Sequence, residues 1–129
     1  MPNQMYQKGL QIRREVLGAD YVDKAIKGAD DFNRDFQEIV TEYCWGAVWG
    51  RDGLSRKQRS MNNICMLAAL NRPHEFEIHF RAALGNGCTL DELRETLIQI
   101  AIYCGMPAGV EAFRIARKVL AEQKGAAAE

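Results

Sequence analysis

Apolar residues recur at intervals of three and four along most of this chain, and no stretch alternates with the period of two that a strand requires. Such a pattern is compatible with a bundle of amphipathic helices and with little else. Tyr6, Leu10 and Leu17 fall on one helical face, and Gly18 follows as a stop signal. A short piece from Asp20 to Ile26 ends at Gly28. Asp30 is placed to cap a long helix with Phe32, Phe36, Ile39, Val40, Tyr43 and Ala47 on its inward face. That helix runs into Trp49-Gly50-Arg51-Asp52-Gly53, whose glycines and Asp-Gly pair are turn chemistry.

Ser55 suits the N-cap of the next helix, which is apolar on every side from Ile64 to Leu70 and is therefore expected at the centre of the fold. Pro73 fits the first turn of a helix that ends at Gly85-Asn86-Gly87. Thr89-Leu90-Asp91-Glu92 forms a capping box, opening a helix with Leu93, Leu97, Ile100 and Ala101 inward. Pro107, just after Gly105, restarts the chain as a last helix with Val110, Phe113, Ala116 and Leu120 on its apolar face. The expectation is an all-α, single-domain helical bundle over residues 1–123 with a frayed tail at 124–129. At 129 residues the domain has a core, yet oligomerisation would bury more surface.

Seventeen basic residues balance seventeen acidic ones, so no net field draws the chain to nucleic acid or anionic lipid. The apolar runs are too short to cross a bilayer, and the first residues lack the apolar core of a signal peptide; a cytoplasmic enzyme or binding protein is expected. Cys44, Cys65, Cys88 and Cys104 are scattered without C-x-x-C spacing, and with two histidines no zinc signature can be assembled. Cys65 and Cys104 stand among apolar residues and read as small core side chains.

The polar groups that carry chemistry cluster in the middle of the chain. Glu75 and His79, four apart, lie one turn apart on one helix face, with Phe76, Phe80 and Ala83 flanking the imidazole. Burial there favours the neutral ring and an ionised Glu75 the charged one, a balance suited to proton transfer near neutrality. The same spacing also describes a core histidine bonded to a carbonyl. Arg56 and Arg59 open the central helix, where cations oppose the helix dipole and a bound carboxylate would compensate them. A solvated charged face would look the same. Glu42, Trp45 and Trp49 recur along one side of the preceding helix, as a substrate platform or as ordinary core or interface residues.

A resemblance bears on these alternatives. Phe32-Asn33-x-Asp35-Phe36-Gln37-Glu38, Trp45-Gly46-x-x-Trp49, Arg56-x-x-Arg59-Ser60 and Met66-Leu67-x-Ala69-Leu70-Asn71-Arg72 are similar to the carboxymuconolactone decarboxylase family. So are Glu75-Phe76-x-x-His79-x-Arg81-Ala82-Ala83-Leu84 and Ile102-Tyr103-Cys104-Gly105-x-Pro107-Ala108. The likeness runs in order from about Gly9 to Leu120. It implies the alkylhydroperoxidase D-like fold, decarboxylation of a carboxylated lactone without a cofactor, and a homo-oligomer, trimer or hexamer. Under that reading His79 is proton donor or oxyanion stabiliser, Glu75 orients it, and Arg59 holds a carboxylate with Arg56 or Arg51. Trp45, Trp49, Tyr103 and Glu42 complete the substrate site. In the dithiol peroxidases of this fold, a C-x-x-C pair stands where this chain has Arg72 and Glu75, so residue identity disfavours that chemistry. The chain departs from the family at Asp52, commonly Pro, and at Val110-Glu111, often Asn-His. Those departures leave open a paralogous decarboxylase or isomerase acting on a related lactone or carboxylated ring. A non-catalytic binding or assembly protein on the same scaffold is the other alternative.

Overall fold

Helix-forming periodicity is realised throughout the computed structural model, which describes residues 3–128. The helices are α1 (Gln4–Leu17), α2 (Ala19–Lys27), α3 (Arg34–Ile39), α4 (Arg56–Ala69), α5 (Pro73–Gly85), α6 (Leu90–Cys104) and α7 (Met106–Ala128). Between α3 and α4 the segment Val40–Val48 is a π-helix, and no strand occurs among the described residues. Nor is any described helix long and apolar enough to cross a membrane. Two compact units make up the chain, one ending at Ser55 and the other beginning at Arg56.

In the first unit, Asn3 caps α1 by accepting from the Tyr6 amide at 2.7 Å. The buried face of α1 is Gly9, Ile12, Arg13 and Val16 rather than the Tyr6–Leu10–Leu17 stripe. Backbone proximity decides this: a Cβ on Gly9 would lie 1.9 Å from the Thr41 carbonyl oxygen, so α1 rests directly on the π segment. Arg13, buried there, donates to Gln37 Oε1 at 3.0 Å and to Thr41 Oγ1 at 3.1 Å.

Asp30 does not cap a long helix as expected. Its carboxylate instead accepts from the Phe32 and Asn33 amides in a turn, and the helix starts at Arg34. From Val40 the hydrogen-bonding widens, closing with the Trp49 amide on the Cys44 carbonyl at 3.0 Å. The wider turn buries Thr41, Trp45 and Gly46 and leaves Tyr43 exposed; Phe32, Phe36 and Ile39, which precede it, are exposed too, so that stripe faces outward.

In the second unit the core is built from Ile64 of α4, Phe76 and Phe80 of α5, Leu93 and Leu97 of α6 and Ile115 and Val119 of α7. α4 ends in a Schellman motif: Asn71 has φ 57°, the Arg72 amide returns to the Leu67 carbonyl and the Asn71 amide to the Ala68 carbonyl. Gly87, at φ 94°, closes α5 in the same way. The capping box of α6 forms, with the Thr89 hydroxyl and the Glu92 carboxylate each taking the other's amide. α4 is less enclosed than its composition suggests, because Met66 and Leu70 are exposed. Val110 is likewise exposed: Gly109 packs against Ala101, which turns Ala112, Ile115, Ala116 and Val119 inward. The cysteines are all free, and Cys88 is the buried one, with Cys65 half-buried and Cys104 exposed at the end of α6. The expected tail is helical as far as Ala128, since Gly125 is followed by three strong helix formers; Glu129 lies outside the described residues.

Candidate active site

α4 and α5 carry the groups that matter most. On α4, Arg56, Arg59 and Asn63 are spaced three and four apart and so share a face, adjacent to the buried Ser60 and Ile64. Lys57 points elsewhere and pairs with Glu92 at 2.6 Å. Arg56 and Arg59 are both half-buried. On α5, Phe76 and Phe80 anchor the helix in the core, which holds the half-buried ring of His79 at the edge of that core. The Asn63 amide nitrogen lies 3.3 Å from His79 Nδ1. Burial drives the pKa of His79 below its ordinary value, and the opposing pull of Glu75, one turn earlier, is the smaller effect. The ring is therefore neutral at neutral pH. Glu75 is exposed, on the solvent side of the pair.

Asn63 is the residue that sequence reasoning missed. It stands in an Asn62-Asn63 pair that reads as a solvated turn of helix. The available signal was its four-residue spacing from Arg59 on a helix destined to pack beside His79.

Tyr103 is 82% exposed and sits on the other flank of α4, beside Met61, Cys65 and Cys104. Within this unit it is not brought to the imidazole. A further small depression lies where α4 ends, lined by Leu67, Asn71, Pro73, Phe76 and Glu111. None of the sequence-predicted site residues lines it. Glu111, one of the departures from the family pattern, is bound on its own helix by Arg114, whose Nε lies 3.0 Å from it. That ion pair holds the Glu111 carboxyl below its usual range.

The remaining candidates belong to the first unit. Trp45 and Trp49 are both buried, with ring centroids 4.9 Å apart and planes inclined at 35°. They pack chiefly as structure and leave little indole surface open. Glu42 accepts from Asn3 Nδ2 at 2.9 Å, which ties the π segment to the cap of α1. Arg51 is exposed in the loop that follows.

No group of three or more His, Cys, Asp or Glu side chains among the described residues is arranged to hold a metal ion. Burial raises the thiols of Cys44, Cys65 and Cys88 above their ordinary values, which is the wrong direction for a reactive thiolate. The arrangement suits a polar reaction on an anion: guanidiniums on one helix, and across from them a neutral imidazole oriented by an amide.

Comparison with known proteins points the same way. The chain is 42% identical over 116 residues to 4-carboxymuconolactone decarboxylase of Acinetobacter baylyi, covering 90% of this chain and 87% of that protein. It is 39% identical over 116 residues to the nitrosuccinic acid decarboxylase of Metarhizium robertsii, covering 90% and 81%. A 43-residue stretch is 44% identical to 4-carboxymuconolactone decarboxylase of Pseudomonas putida, covering 33% of this chain and 90% of that sequence. Residues 34–118 match the model of the carboxymuconolactone decarboxylase family, and the chain belongs to that family.

Proposed function

We propose that this chain is a carboxy-lyase that decarboxylates 4-carboxymuconolactone to the β-ketoadipate enol-lactone, without a cofactor, in cytoplasmic catabolism of aromatic acids. The observation that carries the reading is a half-buried, neutral His79 facing the arginine-bearing helix, in a chain 42% identical to a decarboxylase of that substrate.

The substrate supplies its own electron sink. Its departing carboxylate sits on the γ-carbon of an unsaturated lactone. As the carbon–carbon bond breaks, the electron pair moves through the ring double bond into the lactone carbonyl, giving a dienolate. One proton, taken up from solvent overall, then adds at the α-carbon. The protein must grip the retained acetate carboxylate, stabilise the developing oxyanion and keep the leaving carboxylate poorly solvated. Arg59 holds the retained carboxylate, with Arg56 one turn away on the same face. Cations at the start of a helix gain most from an anion that offsets the dipole, which supports this role. His79 serves the oxyanion, and Glu75 tunes the ring from the solvent side.

A second reading has its own support, the 39% identity to a nitrosuccinic acid decarboxylase. Nitrosuccinate has the same logic, a retained carboxylate and a nitro group in place of the lactone as sink. The test is kcat/KM for both acids with one purified preparation. A preference for the lactone by an order of magnitude or more is expected; a preference for nitrosuccinate would replace the first reading by the second, and turnover of neither would sink both.

The assembly proposed is a homo-oligomer, trimer or hexamer. Phe32, 98% exposed, with Phe36, Ile39 and Tyr43 makes an outward apolar stripe that a second copy would cover. Light scattering is expected to give a multiple of the 14.6 kDa chain mass, and a stable, active monomer would remove this part.

A further inference from the structure

The contact between Asn63 and His79 joins α4 to α5 through a primary amide and a ring nitrogen, 3.3 Å apart. The nitrogen of a primary amide is a donor only, so a ring nitrogen that takes its hydrogen bond carries no hydrogen. A neutral imidazole has one N–H, and with Nδ1 engaged as acceptor that hydrogen resides on Nε2. We propose that Asn63 is a positioning residue that fixes His79 as the Nε2–H tautomer, so that the ring acts as a neutral hydrogen-bond donor to the developing oxyanion and not as an imidazolium acid. This rests on the decarboxylase reading given above.

The chemistry favours that division of labour. An imidazolium beside the substrate would attract the departing carboxylate and stabilise the ground state against loss of carbon dioxide. A neutral N–H gains most where negative charge accumulates, which is the lactone oxygen. The charged group that acts on the ring is Glu75, one turn earlier on its own helix, and its pull is smaller than the effect of burial. Glu75 favours an imidazolium and burial disfavours it. An amide donor at Nδ1 settles which nitrogen holds the hydrogen, a choice that neither burial nor Glu75 makes.

The experiment begins with the unliganded protein. Long-range proton–nitrogen correlation spectra of the 15N-labelled full chain distinguish the two histidines, His74 and His79, with His79→Gln giving the assignment. Near neutral pH, Nδ1 of His79 is expected to show the shift of a ring nitrogen without hydrogen and Nε2 that of a protonated one. Asn63→Asp puts an acceptor at Nδ1. The hydrogen should then move to Nδ1, the ring should titrate at higher pH, and kcat should fall about 10²-fold, the usual loss for a missing oxyanion donor, with KM little changed. Asn63→Ser, which still offers a donor, should recover part of the rate if the aspartate variant folds poorly. A protonated Nδ1 in the wild type would overturn the proposal, as would an Asn63→Asp protein with altered tautomer and undiminished kcat. Failure of the wild type to decarboxylate either acid would end the functional reading while leaving the spectra to decide the tautomer.

Discussion

Gly9→Ala is a change for which helix propensity and packing predict opposite signs. In the interior of a helix such as α1, alanine is favoured over glycine by about 0.5–1 kcal/mol. The new methyl would sit 1.9 Å from the Thr41 carbonyl oxygen and 2.8 Å from the Gly46 amide nitrogen. The first distance falls about 1.5 Å short of the 3.4 Å at which ordinary contact begins. Both opposing atoms are backbone, so relief requires α1 to retreat from the π segment. A retreat of that size stretches the 3.0 and 3.1 Å bonds of Arg13 beyond hydrogen-bonding range. Overpacking costs about 1–3 kcal/mol and each charge-assisted bond about 1.5–3, partly recovered by water. After the propensity gain, the net is a destabilisation of about 2–4 kcal/mol, equivalent to a fall in Tm on the order of 10 °C. The chain's two tryptophans, Trp45 and Trp49, both lie in this unit, so urea unfolding followed by indole fluorescence reports on it directly. Gly85→Ala is the control: no heavy atom lies within 4 Å of its built Cβ, and a gain of about 0.4–1 kcal/mol is expected. A Gly9→Ala protein as stable as the wild type would refute the close approach of α1 to the π segment.

Three further outcomes follow from the site. His79→Ala should lower kcat by about 10²–10³-fold, the usual loss of an oxyanion donor, while changing folding stability by only about 1 kcal/mol, the cost of one neutral hydrogen bond; steady-state kinetics and denaturation on the same preparation check both. Because burial lowers the pKa of His79, the unfolded chain binds this proton before the folded one does. Its contribution to stability is thus complete above about pH 6.5 and lost as pH falls from there through the lowered native value; urea midpoints between pH 5 and 8 should show the slope, and His79→Gln should flatten it. Arg59→Met should raise KM by about 10–100-fold, the worth of one charge-assisted contact, with a smaller effect on kcat, and Arg59→Lys should recover only part of the loss.

Local signals were the legible ones. The capping box at Thr89–Glu92, the helix start at Pro73 and the stops at Gly18 and Gly87 depend on a few neighbouring residues, and all four appear in the structure. The approach of His79 to the core followed from Phe76 and Phe80 in the same way. What escaped depends on residues far apart in the chain. Neither the late helix start at Arg34 nor the π geometry from Val40 leaves a mark on a three-and-four periodicity, which places Phe32, Phe36, Ile39 and Tyr43 inward, whereas they face out. Nothing local marks Gly9, yet its lack of a side chain is what lets α1 rest on the backbone of Thr41 and Gly46. Periodicity puts Val110 on the apolar face of α7, but the packing of Gly109 on Ala101 leaves Val110 exposed. Asn63 became visible only once α4 and α5 were side by side.

In the proposed reaction the chain's own side chains decarboxylate a carboxylated lactone. The most direct measurement is the ultraviolet change on adding 4-carboxymuconolactone to protein treated with EDTA and a thiol-alkylating reagent, with carbon dioxide quantified in parallel. Turnover at the untreated rate is expected, with one carbon dioxide released per lactone consumed. Loss of activity that zinc or another metal restores, or that tracks alkylation of a cysteine, would contradict it.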